Sequence, residues 1–427
     1  MGQNLTAQVV IGAQFGDEGK GRMTAAYAAA VGSDGIVVRF NGGAQAGHTV
    51  VTPEGRRHVF SHVGSGTFAG AATFLSRFFV SNPLLFLKEW EALATQGVRP
   101  TVYVDPDSPV TTPYDMMINQ IVEQARGARR HGSCGVGFGE TLERNLTPAC
   151  ALTVGDLADT ATLTLRLEAI RRCYAPGRLA QLGFGAAYAQ NRTLLQSDAI
   201  LEHFIADARR FLDRVTVMGA KVAIPGRCLL FEGAQGLLLD QERGCFPHVT
   251  RSHTGLRNVL FLADEWGLKR LEVTYVTRAY LTRHGAGPLP HELPGKPYPG
   301  VDDPTNRPNP YQGSLRFAWL DLDLLQQAIA ADRADAARSP ALTVHPRLAI
   351  TCLDQIGAEK MRYYQGGRRR QATIESGMAA VAAAAGMGSG GQWNINAGSD
   401  GSRYGETGPV PACGISGLVD RKASGAA

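Results

Sequence analysis

The chain has 427 residues, of which 44% are apolar and 19% charged, a composition that allows a large core and excludes a disordered or fibrous class. Its net charge of +5 is a mild bias towards anionic small molecules, and no Lys/Arg block is long enough to track a nucleic acid; the densest cluster, Arg368 to Gln371, reads as a turn-like insert. Seven cysteines without a Cys-x-x-Cys pair argue against a zinc or disulfide framework and suit a reducing cytoplasm, and no apolar run of about 18 residues or leader pattern argues for a membrane.

In chain order, strands are expected at "AQVVIG" (7–12), "GIVVRF" (35–40), "TVYVD" (101–105), "CLLFEG" (228–233), "LEVTYVTRAYL" (271–281) and "RLAITCLD" (347–354). The first is followed by a helical pattern over 18–31. Buried parallel strands read as continuous apolar runs separated by helices. The expected fold class is therefore α/β: a central, mostly parallel sheet flanked by helices, with long loop excursions, in a single domain over 1–427. Residues 288–310 hold eight of the 22 prolines and are expected to cross the surface without strand or helix, as part of a loop reaching 318. An alanine-rich helix is expected within "GMAAVAAAAGMG", and the segment 415–427 as a frayed tail.

The stretch "GAQFGDEGKG" has the order strand, Gly-x-x-x-x-Gly, helix. Amides from Gly16 to Gly21 can form an anion nest at a helix N-terminus, with Lys20 adding a point charge. No Ser or Thr follows Lys20 to hold a metal ion, and a structural glycine turn would look similar. Asp17 adds a chemical clue. A carboxylate beside bound phosphates is repelled unless it binds Mg²⁺ or takes a proton from the reacting molecule. A second Gly-rich turn, "NGGAQAGHT", ends in His48. Lone histidines are more often structural, but one beside Asp17 and Lys20 is a candidate donor to a phosphoryl oxygen.

With these two loops the chain resembles the adenylosuccinate synthetase family, collinearly to about residue 405, through "VGDL" (154–157), "FEGAQGLLLD" (231–240), "FPHVT" (246–250), "TRHGAGPLPHEL" (282–293), "WLD" (319–321) and "TCLD" (351–354). The resemblance implies a P-loop-like GTP-binding core and a ligase that phosphorylates the 6-oxo group of a purine nucleotide with GTP, then lets L-aspartate displace the phosphate. It implies Asp17 as the base at N1, His48 as stabiliser of the transferring phosphoryl group, Lys20 on the GTP phosphates and Gln235 beside O6. The GTP site by resemblance comprises Gly16, Asp17, Glu18, Gly19, Lys20, Gly21, Gly47, His48, Thr49, Asp354, Asn396 and Gly398, with Asp354 reading guanine. One Mg²⁺ is implied on Asp17 and Gly47. Acceptor contacts fall to Gln45, Ser133, Cys134, Gln235, Thr250 and Ser314, and the aspartate carboxylate to Arg316. A homodimer is implied as well, with nucleotides and aspartate as partners and neither nucleic acid nor membrane.

Departures from the family pattern gather at the acceptor and aspartate positions. Gln45 replaces an asparagine, Ala44 a histidine, Ser133 and Cys134 a threonine-rich turn, and Ala149 a cross-subunit phosphate-binding arginine. Ser314 and Leu315 precede Arg316 where the family is arginine-rich, and Cys352 replaces a lysine near Asp354. Losing a charge-assisted phosphate contact costs on the order of 1.5–3 kcal/mol, so either Arg251, Arg129 or Arg130 compensates or the acceptor differs. IMP is the expected acceptor. A dGMP-type acceptor, as in a phage branch that often replaces the aspartate by serine, and a GTP-binding regulator without turnover are the alternatives; retention of Asp17 and His48 speaks against the regulator.

Overall fold

A computed structural model of the chain describes residues 6–223, 226–303, 306, 313–387 and 392–394. Asn396, Gly398, most of 304–312 and the tail from 415 lie outside the described residues.

Nine strands form the central sheet: β1 (Thr6–Gly12), β2 (Gly35–Arg39), β3 (Ala72–Leu75), β4 (Val102–Val104), β5 (Thr216–Val217), β6 (Cys228–Gly236), β7 (Arg270–Arg278), β8 (Thr343–Thr351) and β9 (Gln392–Asn394). Their order is β9-β8-β7-β1-β6-β2-β3-β4-β5, and every neighbouring pair is parallel. The continuous apolar run of β1 has a direct cause: successive side chains point to opposite faces, and both faces are covered. Val9 and Ile11 pack with Phe231 and with Leu256 and Val259 of the helix Leu256–Glu265. Val10 packs on the other face with Met23, Tyr27 and Ala28 of α1 (Lys20–Val31).

The run at 271–281 is two strands. β7 stops at Arg278, the Ala279 amide donates to the Thr351 carbonyl at the end of β8, and Tyr280–Arg283 joins a second sheet, antiparallel to Arg316–Asp321. A propensity pattern cannot mark this change of sheet, because both halves are equally buried. It leaves Arg278 at the carboxyl edge of the central sheet and places Arg283 and His284 beyond it.

Two local expectations are corrected. The basic cluster is not a turn: Arg368–Ala372 is a strand paired antiparallel with Met361–Gln365, and the positive-φ turn is Gly366–Gly367. Exposed arginines on an edge strand discourage further pairing, which accounts for their presence there. Within the proline-rich excursion, Glu292–Leu293 forms a two-residue strand against Arg316–Asp321. The short strands β3, β5 and β9 were not legible in the sequence.

A second apolar cluster carries the helices between Pro113 and Leu212. The helix Pro113–Arg126 starts at a capping box, in which Thr112 accepts from the Asp115 amide while the Asp115 carboxylate accepts from the Thr112 amide. Buried Asp115 also pairs with Arg144 at 2.8 Å. This helical layer brings Asn119, His131 to Cys134 and Phe138 to the wall of the site.

Candidate active site

Ligand sites of open parallel sheets lie beyond the carboxyl ends of the strands. A cavity of about 640 Å³ lies there, its wall including residues that follow β1, β6 and β7. Gly16, Asp17, Gly19, Lys20, Gly21, Gln45, Gly47, His48, Thr49, Ser133, Cys134, Gln235 and Thr250 all line it, so residues assigned from separate segments share one space.

The loop before α1 is built around Glu18. Its side chain is 0% exposed and absent from the cavity wall: Oε1 accepts from the amides of Gln14 (3.0 Å) and Gly16 (2.9 Å), and Oε2 pairs with Lys20 Nζ at 2.5 Å. Glycine is required on both sides of it. A Cβ at Gly12 would stand 2.3 Å from Glu18 Oε2, and one at Gly236 would stand 2.4 Å from Oε1. The Glu18 side chain is therefore spent inside the loop, which leaves its backbone for any nucleotide contact, and the expected inclusion of the Gly16 amide in an anion nest is corrected. An internal carboxylate already satisfies that donor and holds the loop shape.

Asp17 adopts φ 60°, between Gly16 and Gly19 at φ 97° each. Its Oδ2 accepts from His284 Nε2 at 2.9 Å, and its carbonyl accepts from Arg278 Nε at 2.5 Å. Burial pushes the Asp17 pKa up, but the hydrogen bond and charge of His284, then Arg278 and Lys20, hold it down at about 2. The same contact, acting against burial, raises the pKa of His284. Asp17 is thus a carboxylate facing the cavity from a left-handed loop position.

His48 opens the short strand His48–Val51. Its Nδ1 lies 2.8 Å from Oε1 of Glu232, whose Oε2 accepts from the Ser65 amide at 3.1 Å. Burial lowers the His48 pKa against the pull of Glu232. Burial would raise that of Glu232, but His48 and Arg39 hold it at about 2. A carboxylate fixed on Nδ1 selects the tautomer with Nδ1–H and leaves Nε2 for another partner. Gly21 permits this packing, since a Cβ there would stand 2.5 Å from His48 Cβ.

Gln235, at φ 57°, lines the cavity with a buried Oε1 that has no hydrogen-bond partner, and both amide atoms of Gln45 are similarly unsatisfied. Unmet polar atoms in a cavity wall are places where a polar ligand is stabilised. Ser133 Oγ accepts from Asn119 Nδ2 at 2.7 Å, and burial pushes the Cys134 thiol pKa up. Arg251 also lines the cavity, ion-paired with Glu143, whereas Arg129 and Arg130 do not.

Besides Glu18, three assigned residues stand outside the cavity wall. Asp354 is exposed in the turn Asp354–Ile356, three residues after Thr351, whose Oγ1 donates to the Glu18 carbonyl at 2.7 Å. That places it at the end of β8, beside the phosphate loop. Ser314 is exposed. Arg316 is held by both oxygens of Glu292, at 2.7 and 2.5 Å, and donates to the carbonyls of Gly285 and Gly287. Its fork is already occupied, so gripping an aspartate carboxylate would require exchanging these partners.

Among the described residues no group of three or more His, Cys, Asp or Glu side chains could hold a metal ion. What the cavity offers is the Asp17 carboxylate and the backbone of Gly47, hard oxygen donors on a wall with room for phosphates. That sparse set fits Mg²⁺, which keeps waters and usually takes one or two carboxylates plus substrate oxygens.

Residues 9–344 match the family model described as adenylosuccinate synthetase. The adenylosuccinate synthetase of Stenotrophomonas maltophilia (strain R551-3) is 31% identical over 403 residues, covering 88% of this chain and 84% of that protein. That of Thermoplasma volcanium is 29% identical, covering 83% and 76%. Among solved structures, fully ligated adenylosuccinate synthetase from Plasmodium falciparum superposes with TM-score 0.68 at 17% identity, over 90% of this chain and 96% of that one. The succinoaminodeoxyadenylate synthetase of cyanophage S-2L, bound to dGMP and dATP, gives TM-score 0.52 at 16% identity, over 90% and 100%.

Proposed function

This chain belongs to the adenylosuccinate synthetase family, C–N bond-forming ligases that join aspartate to a purine nucleotide in a GTP-dependent reaction, and we propose that its acceptor is IMP and its product adenylosuccinate. The observation that supports this reading best is the meeting of Asp17, Lys20, His48 and Gln235 on one cavity.

In the proposed reaction the purine N1–H proton passes to Asp17, O6 attacks the γ-phosphorus of GTP, and the bond to GDP breaks. The aspartate amine then attacks C6, and inorganic phosphate leaves with the original O6. A carboxylate held at about 2 is a weak base towards a free lactam. It suffices here because N1–H becomes strongly acidic as O6 bonds to phosphorus, so proton and phosphoryl transfer reinforce each other. Lys20 contributes positive charge at the phosphates, His48, its ring fixed at Nδ1 by Glu232, donates Nε2–H to a phosphoryl oxygen once the bound phosphates protonate the ring, and Gln235 orients the base through its amide. Asp17 and Gly47 would hold Mg²⁺, which supplies charge neutralisation for the phosphate groups.

The reading extends to guanine recognition by Asp354, aspartate binding at Arg316 and a homodimeric, cytoplasmic enzyme. The six cysteines among the described residues are free, in keeping with a reducing compartment, and no described helix is long and apolar enough to cross a membrane. The test is incubation with GTP, Mg²⁺, aspartate and IMP labelled with ¹⁸O at O6. The expected products are adenylosuccinate and labelled phosphate; unlabelled phosphate would refute the 6-phosphoryl route.

A further inference from the structure

The contact between Asp17 and His284 bears on which purine the site accepts. The edge of hypoxanthine that meets a base at N1 carries one donor, N1–H, next to one acceptor, O6, and only a C–H at C2. A guanine edge carries a second donor, the 2-amino group, immediately beside N1–H. Two adjacent donors are best met by both oxygens of one carboxylate, as a bidentate pair.

His284 competes for that arrangement at Asp17. Its Nε2 sits 2.9 Å from Oδ2, and the same nitrogen lies 3.0 Å from Asn306 Oδ1, so one N–H is shared between two acceptors on the cavity side of the ring. Asn306 is fixed in turn by Asp303, which accepts from its amide at 3.1 Å and its side-chain nitrogen at 2.7 Å, and Asp303 pairs with Arg278 at 3.4 Å. Arg278 anchors the Asp17 carbonyl. The carboxylate is therefore locked to an imidazole through one oxygen, with both residues on the cavity wall. Gln235, whose backbone stands beside Gly16 and whose Oε1 is unsatisfied, lines the same cavity with an amide that can present its NH₂ to O6. This pair of residues complements a single donor next to an acceptor.

We propose that His284 is a specificity-determining residue: by occupying Oδ2 of Asp17 it makes the site select a 6-oxopurine nucleotide without a 2-amino group and reject guanine nucleotides as acceptors. The inference deepens the functional reading above and rests on it. Discrimination comes from a mismatch. A 2-amino donor brought to this wall has to share Oδ2 with the His284 N–H, a poorer acceptance than the free bidentate pair it needs to offset the loss of its water.

The test measures kcat/KM for IMP, dIMP, GMP and dGMP with GTP, Mg²⁺ and aspartate, in the native protein, His284→Ala and His284→Gln, alongside calorimetric binding of IMP and GMP to each. The native protein should favour the hypoxanthine pair by on the order of tenfold or more. His284→Ala should shrink that preference towards unity in both turnover and binding, while His284→Gln, which keeps a donor for Oδ2, should retain most of it. Equal use of guanine and hypoxanthine nucleotides by the native protein, or an unchanged ratio in His284→Ala, overturns the proposal. If His284→Ala does not fold, the native ratio and the His284→Gln ratio still decide: loss of preference in His284→Gln counts against a hydrogen-bonding origin. Absence of a succinylated product with all four nucleotides would refute the underlying function instead, and the inference with it.

Discussion

Replacing Glu18 by alanine removes the centre of the phosphate loop, and the structure allows the cost to be reasoned out. The side chain is fully buried, accepts two amide hydrogen bonds and pairs with the Lys20 ammonium, itself 3% exposed. Each buried amide left without an acceptor costs about 1–3 kcal/mol, and removing one partner of a buried ion pair costs about 3–5 kcal/mol. These costs overlap, because the loop can relax once its anchor is gone, so the expected loss is about 3–5 kcal/mol rather than the sum. Urea unfolding followed by circular dichroism, without nucleotide, measures it directly. The double variant Glu18→Ala with Lys20→Met should be less destabilised than the two single losses added together, since it no longer strands a charge. A loss below about 1 kcal/mol in Glu18→Ala would refute the reasoning that the side chain braces the loop.

Three further expectations rest on separate contacts. The folded-state pKa of Glu232, about 2 against an ordinary 4.5, means that its contribution to stability is full above about pH 4.5 and is lost as pH falls towards 2. Urea midpoints across that range should fall more steeply for the native protein than for Glu232→Gln; parallel curves would count against the assignment. In Gly21→Ala the new methyl would stand 2.5 Å from His48 Cβ and 2.8 Å from Ser65 Oγ, so His48 must shift. Turnover should drop on the order of tenfold or more, with aspartate KM little changed, and steady-state kinetics would expose the opposite pattern. For Asp354→Asn, the ratio of kcat/KM for GTP over ATP should fall by on the order of tenfold; an unaltered ratio removes Asp354 from base recognition.

The order of functional residues was legible before any coordinates. Glycines flanking an acid and a lysine after an apolar strand announced an anion-binding turn, and the structure brings Asp17, Lys20, His48 and Gln235 to one cavity. The roles within that turn were not legible. Glu18 and Asp17 are adjacent carboxylates in the same glycine-rich stretch, yet one is buried as a brace and the other faces the cavity. The left-handed backbone at Asp17 and Gly19 helps set that orientation, and local composition does not encode which carboxylate ends inside. Glu232 and His284 stood within recognised stretches without a distinguishing signal, because what matters is the distant partner each one meets. Arg316 was read as an open fork, and Glu292 fills it through the pairing of two short strands.

What the chain's own order of residues determined was local and periodic: buried parallel strands from unbroken apolar runs, turns from glycine, and a family through collinear motifs. What folding in three dimensions decided was partnership. β6 carries Glu232 next to the strand that precedes His48, and the change of sheet at Ala279 delivers His284 to Asp17. Those contacts depend on strand order and register over separations far longer than any sequence period, and burial then makes each of them energetically consequential.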